Sequence, residues 1–249
     1  MKLLLSLMAM LLLSISSGAQ GLKGLIKNAK DSSGKTNVGN ILGGSGSKRS
    51  LTSEEIISGL KEALQVGTER STSKLSAADG FFKDAAIKIL MPAEAQKAER
   101  TLRNLGMGKQ VDNAILSMNR AAEDAAKSAA PIFIAAVKGM SFTDAMAILR
   151  GGDFAATTYL SEKTTAALTE AFRPAIESSL QKVNATKYWN TVFTSYNKVS
   201  AEKVNPDLVA YVTEKALTGI FHQLAQEEQK IRKDPFARTS DILKKVFSN

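Results

Sequence analysis

The stretch KQVDNAILSMNRAAEDAAKSAAPIFIAAV, residues 109–137, decides how this chain folds. Val111, Ile115, Met118, Ala122, Ala125, Ala129 and Ile132 recur every three or four positions, which places them along one side of an α-helix. Beyond Ala121 apolar residues extend nearly all the way round, broken mainly by Glu123, Asp124, Lys127 and Ser128. A helix apolar on every side belongs in the middle of a bundle, and its alanines let neighbours approach closely. Pro131 predicts a kink, because its ring clashes with the carbonyl of Lys127. The uncharged run between Lys127 and Lys138 is too short to cross a bilayer, which takes ~20 residues.

Upstream of this helix, Leu51-Thr52-Ser53-Glu54-Glu55-Ile56 reads as a helix start. Thr52 is the N-cap, Glu55 completes a capping box, and Leu51 and Ile56 occupy the positions of a hydrophobic staple. Ile56, Ile57, Leu60, Ala63 and Leu64 then mark one apolar face. Asp79-Gly80 breaks the pattern. In residues 81–90 the alternation Ile87-Lys88-Ile89 fits either a helix end or extended chain. Pro92 suits the first turn of a helix running to about Leu105 and stopped by Gly106.

Downstream, Ser141 and Asp144 cap a short helix through Ile148, closed by Gly151-Gly152. Asp153 is placed to cap a helix through Tyr159, Leu160, Ala167 and Phe172, with a bend or break at Arg173-Pro174 and a continuation to Val183. Tyr188, Trp189, Val192, Phe193 and Tyr196 mark an aromatic-rich helix over 187–198. Asn205-Pro206-Asp207 launches a long helix to Lys233, ended by Asp234-Pro235. Thr239 caps a last helix carrying Ile242, Leu243, Val246 and Phe247. No strand pattern of useful length and no internal repeat appears. The expected fold is all-α, one bundle of roughly eight to ten helices around the Ala-rich helix, spanning residues 51–249.

The first fifty residues are of a different kind. Met1-Lys2 precedes an uncharged apolar run over residues 3–15, then Ser16-Ser17-Gly18-Ala19. A basic start, an apolar core and a small-residue exit make a secretory signal over residues 1–19. Residues 20–50 read as a flexible Gly/Ser/Lys linker ending in Gly43-Gly44-Ser45-Gly46-Ser47. Within residues 20–30, Leu22, Leu25, Ile26 and Ala29 oppose Lys23, Lys27 and Lys30. That short basic amphipathic segment either lies on an anionic membrane surface or is a solvated tail.

The chain has 249 residues, a net charge of +9, one histidine and no cysteine. Without cysteine there are no disulfides, thiolate metal sites or Cys nucleophiles. With His222 alone, His-based metal cages and most general-base triads are excluded on inventory. His222 shares a mostly polar helical flank and is expected to be partly exposed and non-catalytic. Much of the positive charge sits in the linker, where Lys23, Lys27, Lys30, Lys35, Lys48 and Arg49 face Asp31 alone. A nearly neutral domain behind a basic tail is not the pattern of a nucleic-acid binder.

Several motifs occur in a recognisable order. Asn119-Arg120-Ala121-Ala122-Glu123 comes first, then residues 140–149, then residues 151–160 with Ala155-Ala156-Thr157-Thr158-Tyr159. Phe172-Arg173-Pro174 follows. Glu227-Glu228-Gln229-Lys230-Ile231-Arg232-Lys233-Asp234-Pro235 precedes Leu243-Lys244-Lys245-Val246-Phe247. Together they resemble the bacterial domain of unknown function family 4197, over about residues 51–247. The resemblance implies an exported helical protein and brings no catalytic residues with it.

No phosphate loop, zinc-protease motif, EF-hand or serine elbow is present, so no cofactor or metal is expected. The candidate polar cluster is Asn119, Arg120, Glu123, Glu227 and Arg232. Glu227 shares an apolar stripe with Ile220, Leu224 and Ile231, and a buried carboxylate needs a cation or hydrogen-bond donors. The expected arrangement brings Glu227 towards Asn119 and Glu123, with Arg120 or Arg232 as counter-charge. Such a cluster reads as an ionic clamp between helices, as the floor of a ligand pocket, or as a carboxylate pair for acid–base chemistry. The aromatic group Tyr188, Trp189, Phe193 and Tyr196 reads as core packing or a ligand face. The functional expectation is an exported binding module in the periplasm or envelope, for a lipid-like ligand or an envelope protein. The alternatives are a hydrolase using Glu123 and Glu227, and a purely structural envelope protein.

Overall fold

The computed structural model describes residues 52–182 and 207–234, together with 184–186, 189, 194, 197, 198, 203 and 244. The expected leader, the expected linker with its amphipathic segment 20–30, Leu51, most of the aromatic stretch and the helix expected after Thr239 lie outside the described residues. Those described form seven α-helices and no strand. They are α1 (Ser53–Ser76), α2 (Gln96–Asn104), α3 (Gly108–Ala126), α4 (Ala129–Lys138), α5 (Phe142–Arg150), α6 (Ala155–Lys182) and α7 (Leu208–Lys233), with a 3-10 turn (Ala93–Ala95) before α2.

The helix starts follow from local chemistry. Thr52 Oγ1 accepts from the Glu55 amide at 3.2 Å, and Glu55 answers by accepting from the Thr52 amide at 2.8 Å. Ser141 and Asp144 repeat that capping box at α5. Asp207 caps α7 by accepting from the Ala210 amide at 2.9 Å. Gly106, at φ +79°, ends α2 in a left-handed turn that a side chain would strain.

One proline expectation changes and another holds in its main point. Pro131 sits in the first turn of α4, because the helix is interrupted at Lys127 and Ser128 rather than kinked through the proline. There its missing N–H costs nothing, since first-turn amides have no helical partner. The interruption also resets the buried face. Ala129, Phe133 and Val137 are buried, while Ile132 is only half-buried. At Pro174 the helix continues as expected, without a break, and α6 runs on to Lys182. An interior proline costs ~3 kcal/mol. Phe172 and Ile176, on either side of it, and Leu180 beyond are wholly buried, and that packing offsets the loss.

Helices α1, α3, α4, α6 and α7 pack on one another, with α5 against α1 and α6. The Ala-rich half of α3 is central, and Ala121, Ala122, Ala125 and Ala126 are wholly buried. Helix α6 buries Ala156, Leu160, Thr164, Leu168, Phe172, Ile176 and Leu180. A strict four-residue repeat advances about 40° per step at 3.6 residues per turn, so this stripe winds round the helix. Its early part meets α4, and Ser179 near its end donates to Asp124 of α3 at 2.8 Å. Helix α7 approaches residue 81 closely, because the bare face of Gly219 lies against the Phe81 ring. Trp189 is buried and stacks on Tyr211 at 6.4 Å. The Tyr211 hydroxyl donates to the Leu90 carbonyl at 2.8 Å, and burial, then the charges of Glu94 and Glu214, push it up to about 12.

Candidate functional site

The five residues of the candidate cluster fall into three separate settings. Asn119, wholly buried on α3, faces the non-helical segment after α1. Its amide group accepts from the Ile89 N–H at 2.9 Å and donates to the Ile89 carbonyl at 2.8 Å and the Ile115 carbonyl at 2.7 Å. The side chain thus acts as a one-residue substitute for a neighbouring strand. That resolves Ile87-Lys88-Ile89 as irregular chain whose isoleucines face the core.

Glu123 lies one turn further along α3 and holds the beginning of the same segment. Its Oε1 accepts from the amides of Phe81 at 3.1 Å and Phe82 at 3.2 Å. Its Oε2 accepts from Arg120 at 2.6 Å, and Arg120 also donates to Asp79 at 2.7 Å. Asp79 has φ +70°, a conformation that Asp tolerates better than most residues. Lys83 and then Arg120 beside it hold its carboxyl below the usual carboxylate range. Glu123 and then Asp79 push the Arg120 guanidinium further up. A buried charge is sustained here by two amides and a guanidinium.

Glu227 is buried as expected, but its counter-charge is neither Arg120 nor Arg232. Lys230, one turn on, donates to it at 2.6 Å, and Gln223 lies at 3.4 Å. Gln223 in turn accepts from Lys74 of α1 at 2.7 Å. Gly219 marks where α7 touches Phe81, next to Glu123. Glu227 lies eight residues further along α7, about 12 Å at the helical rise. Glu123 and Glu227 therefore belong to different parts of the core.

Arg232 serves Glu228, a residue the sequence reading passed over. Glu228 is buried, and its carboxylate accepts from the amides of Ala156 at 3.0 Å and Thr157 at 2.8 Å, and from the Thr157 hydroxyl at 2.8 Å. Arg232 Nε donates to it at 2.9 Å, and Arg232 Nη2 donates to the Ile148 carbonyl at the end of α5 at 3.0 Å. Those two amides are the ones a side chain at the N-cap would take. The residue before α6 is Phe154, which has no such group, and a carboxylate from α7 supplies the cap. Asp153 does not cap α6; its side chain pairs with Lys233 at 3.2 Å. Two signals in the sequence point to this: an uncappable Phe154, and the i, i+4 spacing of Glu228 and Arg232.

Between α1, α6 and α7, the space beside Glu227 and Glu228 is about 30 Å³, room for a water molecule and no organic ligand. A more spacious concavity lies elsewhere. A groove of about 590 Å³ opens between α4 and α6. Pro131, Ile132, Ala135, Ala136 and Ala167 line its apolar part, and Asp144, Tyr159, Lys163 and Thr164 its polar part. The Lys163 ammonium stands 5.8 Å from the Tyr159 ring centroid. Burial and then the Asp144 charge push the Tyr159 hydroxyl up. Ser141 holds Asp144 below the usual carboxylate range by hydrogen bonds from its hydroxyl and its amide. His222 is exposed. Among the described residues no cluster of His, Asp and Glu is arranged to hold a metal ion.

Fold and geometry define the class: an all-helical protein in which buried Glu123 and Glu228 tie backbone segments together, with an open groove between α4 and α6. The chain belongs to the family described as "protein of unknown function (DUF4197)", whose model matches residues 50–248. Comparisons with curated proteins and with solved structures gave no match. No single helix among the described residues is long and apolar enough to cross a membrane.

Proposed function

We propose that this protein is an exported helical binding module of the cell envelope, whose α4–α6 groove takes a lipid-like ligand with an elongated apolar part and an anionic end. The observation that carries this reading is the groove itself. Its volume falls in the range of small-molecule sites, ~300–1,000 Å³, and its lining pairs an apolar floor with a few polar groups at one part. Lys163 offers the charge that an acidic headgroup requires, and Tyr159 and Thr164 offer hydroxyls. Export rests on the leader pattern over residues 1–19. Binding is favoured over hydrolysis because Glu123 and Glu227 are engaged in separate hydrogen-bonded settings and do not face one another across a cleft.

Native mass spectrometry of the protein purified from its own host tests the reading, with Ala135→Trp as the blocking variant. Ala135 is exposed on the groove wall, so a larger side chain there fills the space without entering the core. The wild type is expected to carry an amphiphile adduct that the variant lacks. A wild type without any adduct, or equal loading of both, would contradict the proposal and leave the structural or protein-binding reading. The same spectrum gives the chain's mass. Soluble protein that retains residues 1–19 would contradict export.

A further inference from the structure

The turn between α2 and α3 is unlike the rest of the described surface. Leu105 is 71% exposed and Met107 is 39% exposed, on either side of the left-handed Gly106. They are two of the five large apolar residues exposed among those described, and they stand one residue apart. Helix α2, which carries this turn, buries no residue of its own and rests on the core through Ala98 and Leu102. The tip is also basic. Arg103 is engaged by Glu99 at 2.9 Å and Asp112 at 2.8 Å. Arg100 and Lys109, both exposed, form no ion pair among the described residues.

We infer that this hairpin tip is a membrane-contact site that inserts Leu105 and Met107 into the surface of an anionic bilayer while Arg100 and Lys109 pair with lipid headgroups. Two adjacent apolar side chains on a narrow turn can be buried at the headgroup boundary without unfolding any element. Unpaired cations beside them face the charge that an anionic leaflet presents, and each contributes about a five-fold gain in binding. Met107 N–H donates to the Leu102 carbonyl at 2.9 Å and Gly106 N–H to the Arg103 carbonyl at 3.1 Å, so the turn meets the surface preformed. The contact uses residues of neither the basic segment 20–30 nor the α4–α6 groove.

The test uses the chain without residues 1–19 and vesicles of phosphatidylcholine, with or without 30% (about one lipid in three) phosphatidylglycerol. Since the chain has no cysteine, Met107→Cys gives a unique attachment point for an environment-sensitive dye, with exposed Ser178→Cys on α6 as the control. The dye at residue 107 is expected to shift to the blue on anionic vesicles only, and the one at residue 178 to stay unchanged. In co-flotation, Leu105→Ser with Met107→Ser is expected to lower partitioning roughly ten-fold, and Arg100→Glu with Lys109→Glu by at least as much. These positions are exposed, so circular dichroism should report an unchanged fold. A silent dye at residue 107 would overturn the inference. So would full binding by both hairpin variants combined with loss on Lys23→Glu, Lys27→Glu and Lys30→Glu together, which would assign the contact to the linker.

Discussion

Glu228 shows how one side chain can set the start of another helix. Its carboxylate satisfies the Ala156 and Thr157 amides and lies at the positive end of the α6 dipole, while Arg232 neutralises it from the same helix. Truncation leaves two orphan amides and a guanidinium that is only 14% exposed. Glu228→Ala is therefore expected to cost about 3 kcal/mol in urea unfolding. Glu227 is equally buried, but its partner Lys230 is 58% exposed and can return to water. Glu227→Ala should cost only about 1 kcal/mol. Equal losses at the two positions would contradict this distinction. Neighbouring glutamates in one run of sequence do very different things, and only the position of α6 separates them. The helical face of Glu227 was legible from its stripe, whereas the partner of Glu228 lies 71 or 72 residues away and left only an indirect trace.

At the scale of elements, the caps and the apolar stripes were readable because their causes are local. The Thr52 and Ser141 boxes, the Asp207 cap, the Gly106 stop and the buried face of α3 all follow from residues within a turn or two. The continuation past Pro174 was expected, whereas at Pro131 an interruption at Lys127 and Ser128 replaced the expected kink within one helix. Pro174 stays inside α6 since core contacts on both sides outweigh one lost hydrogen bond. Contact between helices also distinguishes two glycines. A methyl group at Gly219 would lie 2.4 Å from Cε1 of Phe81, a ring too deeply buried to move aside. At Gly67 it would lie 3.7 Å from Ile231, an ordinary contact. Gly219→Ala should destabilise by about 1–3 kcal/mol. Gly67→Ala should stabilise by up to about 1 kcal/mol, the helix-propensity gain. Thermal unfolding of the pair checks both signs, and a stable Gly219→Ala would mean that α7 and residue 81 are less closely packed than described.

Over the whole molecule, the all-α class followed from periodicity, but the way the body is held together did not. Asn119 and Glu123 reach from α3 to a segment of 81–91 that has no regular structure, and Glu228 reaches from α7 to the head of α6. Lys61 of α1 adds a further tie, donating to the Lys138 carbonyl at the end of α4 at 3.0 Å. Asn119, Glu123 and Glu228 each meet backbone groups that would otherwise be orphaned, so these buried polar side chains serve cohesion. The groove was not foreseen either. Ile132 looked like a core position until the interruption at residues 127–128 turned it towards that opening. The central claim is that side chains from α3 and α7 hold distant backbone as firmly as the helices hold their own. Native-state hydrogen exchange at the amides of Phe81, Phe82, Ile89, Ala156 and Thr157 tests it most directly. All five should be protected to the level of the innermost amides of α3; exchange at the rate of exposed loops would contradict it.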